Sequence, residues 1–113
     1  MNKKKLQEIM RKISIEENEF LLICDMLKGV ILNLTFDNYK NSFISNLEDA
    51  LESGYLEVKC EVNSNILFNK IYNLNYKETL ELLCEVDNFW QQGDEHYMAF
   101  RRQSPRMILN TLN

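Results

Sequence analysis

The side chains with the most chemical potential are one histidine, three cysteines, a series of glutamates and a group of arginines. His96 is the only side chain whose ordinary pKa lies near neutral pH, which makes it the natural candidate for a general base. A general base needs a nucleophile and an orienting acid, and only Cys84 and Asp94 are loose candidates for these roles. We therefore predict that the protein is not an enzyme and has no catalytic residue.

The cysteines Cys24, Cys60 and Cys84 form no CxxC pair, and each has apolar neighbours in the sequence. Zinc sites usually draw ligands from closely spaced pairs, whereas a site made of these cysteines and His96 would draw one ligand from each of four separate segments. An odd number of cysteines argues against a disulfide framework and for a reducing compartment. We predict buried free thiols, no metal ligand and no cofactor-binding residue.

Three glutamates, Glu78, Glu81 and Glu85, are spaced i, i+3, i+7 and fall on one face of a predicted helix; we call them the Glu78–Glu85 series. They resemble half of a metal site in a helical bundle, but such sites also need a Glu-x-x-His motif, which this sequence lacks. The pattern is more typical of a solvated acidic face. We expect this face to bind a partner protein whose contact surface is basic.

A second group combines basic and aromatic residues near the end of the chain. Arginines flank Ser104-Pro105, and aromatic residues precede them, a combination that suits contact with phosphate, with a partner protein or with the acidic part of the same chain. Trp90 belongs either to the core or to an exposed patch that anchors a partner. The candidate partner-binding residues outside the Glu78–Glu85 series are Trp90, Tyr97, Phe100, Arg101, Arg102 and Arg106.

These residues must be positioned by a small chain. The 113 residues are 45% hydrophobic and 27% charged, with three Gly and one Pro, which predicts one folded domain over 1–113. Residues 1–12 carry a net charge of +4 and residues 13–93 a net charge of −9, so non-specific nucleic-acid binding is disfavoured. No apolar run reaches the about 18 residues of a membrane span, and charges interrupt any signal-like start, so we expect a cytoplasmic protein.

Helical periodicity dominates the pattern, and we predict an all-α domain of about five to six short helices. The first, over 1–12, is basic, and the sequence leaves open whether it docks or frays. Ser14-x-x-Glu17 predicts a capping box for a helix from Ile15, which Gly29 ends. Later starts are predicted at Thr35 or Asp37, at 63–65, at Asn75 with Glu78, and at Ser104-Pro105; Asp94 can cap a segment containing Tyr97, Met98 and Phe100, which belongs to the C-terminal segment 94–113.

Two segments also alternate in the manner of strands. The alternative fold is therefore α+β, with a two-stranded ribbon formed by 30–36 and 55–62. We favour the helical interpretation because an isolated ribbon is only marginally stable.

Two functional classes remain. The preferred one is a small acidic intracellular protein that regulates or inhibits a partner by binding it, with no membrane contact and with a homo-oligomer still open; fourteen Asn and nine Lys suit the AT-rich genes of phages or mobile elements. The alternative is a nucleic-acid-binding regulator. It would use the arginine-rich C-terminal segment, or a helix-turn-helix over 56–74 with Asn65, Asn69 and Lys70 facing outwards.

Overall fold

The computed structural model describes residues 3–53, 61–92 and 99–112. The described elements are mainly helical, which confirms the predicted fold class. They are, in chain order, α1 (Lys3–Ile13), α2 (Glu17–Met26), β1 (Ile31–Leu32), α3 (Tyr39–Glu52), α4 (Ser64–Asn73), α5 (Tyr76–Gln92), β2 (Ala99–Phe100) and α6 (Pro105–Asn110).

Helix α5 is the centre of the fold because it packs against α1, α2 and α6. Its buried residues lie on more than one side of the helix, as a helix with several neighbours requires; they include Leu80, Leu82, Leu83, Val86 and Trp90. Helix α3 packs against α2, α4 and β1 and forms the other side of the core. Helix α1 packs onto the core through Leu6, Met10 and Ile13. Of the two possibilities that the sequence left open, residues 3–13 therefore dock.

Several helix ends follow their local sequence signals. Asn63 caps α4 by accepting from the amides of Asn65 and Ile66. Asn75 and Glu78 form the predicted reciprocal capping box. The Glu78 amide donates to Asn75 Oδ1 at 2.8 Å, and the Asn75 amide donates to Glu78 Oε1 at 3.0 Å.

Two further predicted helix boundaries are confirmed. Ser104 accepts from the Met107 amide, and Pro105 begins α6 as predicted. Gly29 has a φ of +72° just after α2, in the left-handed region that glycine adopts without strain.

The predicted capping box at Ser14 is wrong. Glu16 is the N-cap of α2, and Glu19 accepts from the Glu16 amide at 3.0 Å. Ser14 instead ends α1: its amide donates to Arg11, and the Ile15 amide donates to Met10 at 3.0 Å. These two bonds form a Schellman motif, in which Ser14 takes the left-handed position with a φ of +60°.

The start of α3 also differs from the prediction. Neither Thr35 nor Asp37 caps the helix, because Asn38 occupies the N-cap position. The Asn38 side chain turns backwards and accepts from the Thr35 amide and hydroxyl at 3.1 and 2.6 Å. The Thr35–Asn38 turn therefore precedes the helix instead of capping it.

A short ribbon exists, and its second strand is one that neither interpretation of the sequence includes. β1 pairs with β2 in parallel, with Ile31 opposite Ala99 and Leu32 opposite Phe100. Residues 99–100 are thus strand, so no helix that follows Asp94 includes them. Residues 54–60 lie outside the described residues, and 61–63 are not strand.

No helix in the described ranges is long and apolar enough to cross a membrane.

Candidate functional site

The Glu78–Glu85 series is not the solvated face that the spacing predicted. Glu85 is only 5% exposed, and the Glu81 side chain is largely buried and forms an ion pair with Lys12 of α1 at 3.5 Å. Glu78 is half-buried and is engaged in its capping box. Helix α1 packs against α5, and burial leaves a partner little access to Glu81 and Glu85.

A second carboxylate supports the same corner of the molecule. Glu19 Oε1 accepts from Lys70 Nζ at 2.7 Å as well as from the Glu16 amide, and the Glu19 side chain is almost fully buried. Burial of a single carboxylate is costly, and the ammonium group and amide offset that cost. The pair ties α4 to the start of α2.

A cleft of about 330 Å³ lies next to these ion pairs. Its lining residues are Lys12, Ile13, Ser14, Lys70, Asn73, Leu74 and Glu78. Both lysines in the lining are already paired with carboxylates, Lys12 with Glu81 and Lys70 with Glu19. The cleft therefore offers no concentrated charge to a ligand.

Trp90 lies in the core, as the core interpretation of this residue predicts. It is 6% exposed, and its indole N–H donates to the Cys24 carbonyl at 3.0 Å. Lys28 lies 5.5 Å from the centre of the Trp90 ring, a distance typical of a cation–π contact. The tryptophan therefore joins α5 to α2 and is not presented to a partner.

The three arginines do not form one cluster. Arg106 donates to the Asn88 side chain at 3.1 Å and so binds back onto α5. Burial raises the pKa of Asp87, while a hydrogen bond from Gln91 and the charge of Arg106 act in the opposite direction. Arg101 and Arg102 are exposed beyond β2, and Phe100 is half-buried against the core. Tyr97 and His96 lie outside the described residues.

The predicted recognition helix is present as α4, but only part of its outward face is as predicted. Asn65 and Asn69 are exposed. Lys70 is half-buried in its pair with Glu19, so it does not face outwards. Residues 54–60, which would supply most of the preceding helical turn, lie outside the described residues.

Two of the cysteines are buried free thiols, as predicted, whereas Cys60 lies outside the described residues. Burial raises the pKa of Cys24, and it raises the pKa of Cys84 to about 11 despite the nearby Arg106. Neither thiol is therefore a reactive thiolate at neutral pH. Within the described residues, no group of three His, Cys, Asp or Glu side chains is placed to hold a metal ion.

One acidic surface that a partner can reach lies on α3. Glu48, Asp49 and Glu52 are all exposed, and we call them the α3 acidic face. Tyr72 of α4 lies beside it, 53% exposed, and its hydroxyl is 3.5 Å from Glu48 Oε1. Tyrosine is one of the residue types enriched at protein–protein interfaces.

This face is not among the sites predicted above, although the sequence contains a signal for it. The apolar stripe of α3, which includes Phe43 and Leu47, defines the buried side of the helix. Glu48 and Glu52 are spaced i, i+4 on the side away from that stripe, where they must face solvent.

Comparison with protein-family models, with curated protein sequences and with solved structures gives no match.

Proposed function

We propose that this chain is a small intracellular, non-enzymatic protein that acts by binding a partner protein with a basic contact surface, as a regulator or inhibitor does. The α3 acidic face is the surface that carries the proposal. The buried thiols Cys24 and Cys84 support a reducing compartment, and the Asn- and Lys-rich composition supports an origin in a phage or mobile element.

The observation that favours the α3 acidic face is its position on the helix. The carboxyl end of a helix carries a partial negative charge, so acidic residues there are unfavourable, and the last turn of α3 contains no basic residue. Glu48 and Glu52 also repel one another at i, i+4 spacing. Three carboxylates kept where they destabilise their own helix are better explained by binding than by folding.

Charge also suits this kind of partner. Residues 13–93 carry a net charge of −9, which attracts a basic surface from a distance and speeds association. Tyr72 supplies a rigid aromatic contact beside the carboxylates.

The test is affinity capture from the native host with the triple variant Glu48→Gln, Asp49→Asn, Glu52→Gln. The matched control Glu8→Gln, Asp25→Asn, Glu61→Gln changes the net charge equally at exposed sites elsewhere. We expect the wild type and the control to capture a basic partner and the triple variant to bind it about tenfold or more weakly.

Circular dichroism shows whether each variant is folded before capture. Equal binding of the partner by both triple variants would refute the proposal. So would capture of nucleic acid alone.

A further inference from the structure

The β1–β2 ribbon has one buried face and one open face. Side chains of paired residues in a parallel ribbon lie on the same face, so Leu32 and Phe100 share one face and Ile31 and Ala99 share the other. Leu32 is fully buried, whereas Ile31 is 59% exposed. Parallel sheets are normally covered on both faces, so the open face of this ribbon is unusual.

One edge of β2 pairs with β1, and the other edge faces away from it. The amides of Ala99 and Arg101 donate to the carbonyls of Val30 and Leu32, at 3.3 and 2.9 Å. The intervening Phe100 N–H and C=O therefore point to the opposite edge of the strand. Within the described ranges, no backbone group bonds to the Phe100 amide.

Two exposed arginines, Arg101 and Arg102, follow Phe100 directly in the chain, and the Arg101 amide still bonds to the Leu32 carbonyl of β1. Among the described residues, neither arginine side chain forms an ion pair, whereas Arg106 is held by its hydrogen bond to Asn88.

We propose that this edge binds an extended acidic segment of a partner protein, which adds to β2 as a third strand. Backbone groups of the segment pair with Phe100, its carboxylates contact Arg101 and Arg102, and an apolar side chain covers Ala99 and Ile31. Guanidinium groups bind carboxylates in a planar, two-pronged geometry, and strand addition is an established way to recognise a peptide.

The chemistry of the surface favours an acidic peptide over nucleic acid. An exposed isoleucine lies at its centre, which suits contact with an apolar side chain of a peptide and gives a phosphate group nothing to bind. This surface is distinct from the α3 acidic face and takes the opposite charge, so it would bind a second partner.

The test uses the full chain and a fluorescein-labelled decapeptide in which Glu and Val alternate. A Lys/Val decapeptide and an oligothymidylate are the comparison probes, and fluorescence anisotropy measures binding at low salt. We expect the acidic decapeptide to bind at this edge, where the Lys/Val decapeptide and the oligothymidylate do not. In an NMR titration with this decapeptide, the amide shift changes of the protein should be confined to residues around Ile31, Ala99 and Phe100.

Two variants separate charge from shape. Arg101→Glu, Arg102→Glu should weaken binding of the acidic decapeptide about tenfold or more, whereas the control Lys3→Glu, Lys77→Glu, with the same change in net charge, should weaken it about twofold. Ile31→Ser, at an exposed site, should weaken binding severalfold without changing the charge.

Three results would overturn the inference. They are no binding of the acidic decapeptide, an equal loss in the arginine variant and its lysine control, or tighter binding of the oligothymidylate than of the peptide. The Glu48, Asp49, Glu52 triple variant should bind the decapeptide at least as well as the wild type does, which keeps this result independent of the proposed function.

Discussion

Two sets of three acidic residues lie on helices of this molecule in opposite environments. In the Glu78–Glu85 series, Glu81 pairs with Lys12 of α1, Glu78 caps α5 and Glu85 is buried. The α3 acidic face is exposed along its length, and its charges oppose the helix dipole. Acidic spacing alone therefore does not identify a binding face; the neighbouring helix decides which carboxylates a partner can reach.

The largest effect should follow from loosening α1, the helix that pairs with Glu81 of the Glu78–Glu85 series. Met10 of α1 is buried in the core, and Met10→Ala leaves a cavity where α1 docks. We expect the free energy of unfolding to fall by about 2–3 kcal/mol in urea denaturation. Gln7→Ala, at an exposed site on the same helix, is the control and should change it by less than about 0.5 kcal/mol. Equal effects of the two substitutions would show that α1 does not cover the core in solution.

A smaller effect, of opposite sign, should come from the turn that ends α1. Ser14 has a φ of +60°, which a residue with a Cβ adopts at a cost of roughly 1 kcal/mol, so Ser14→Gly should stabilise the protein by about that amount. Ser53→Gly is the matched control, because Ser53 ends α3 with a φ of −69° and glycine relieves nothing there. Thermal unfolding of both variants decides the point, and a loss of stability in Ser14→Gly would contradict the Schellman assignment.

The smallest effect concerns the α3 acidic face. Because its charges oppose the helix dipole, the variant Glu48→Gln, Asp49→Asn, Glu52→Gln should be more stable than the wild type by about 0.5 kcal/mol at low salt. The gain should shrink as salt is added, since exposed charges are screened. Urea denaturation at two salt concentrations measures it. A loss of stability would mean that these carboxylates support the fold, and the contrast with the Glu78–Glu85 series would disappear.

The features that the sequence predicted correctly are those encoded within a few residues. The caps at Asn63, Asn75 and Ser104 each depend on a side chain bonding to an amide two or three positions later. The mainly helical class follows from apolar spacing in the same way. Such signals are complete within one turn of helix.

Errors arose where two local signals competed. Ser14-x-x-Glu17 and Glu16-x-x-Glu19 both fit a capping pattern, and the Schellman turn at Ser14 decided between them without the usual glycine.

Other features depend on contacts between distant residues. Nothing near Glu81 in the sequence indicates that Lys12 of α1 will pair with it, and the buried pair of Lys70 with Glu19 joins residues 51 positions apart. The alternation of 55–62 suggests that segment as a partner for 30–36, whereas the strand that pairs with Ile31–Leu32 has only two residues and so carries no alternation signal. Long-range choices of this kind depend on the shape of the whole core, which local pattern does not specify.

The pairing of Ile31 with Ala99 also has a consequence for biosynthesis. The two paired segments are separated by most of the chain, so the ribbon cannot close until residues 99–101 have left the ribosome. The contacts of α2 with α3 involve only earlier residues and can form during translation. The ribbon and α6 can therefore join a core whose earlier helices have already begun to pack.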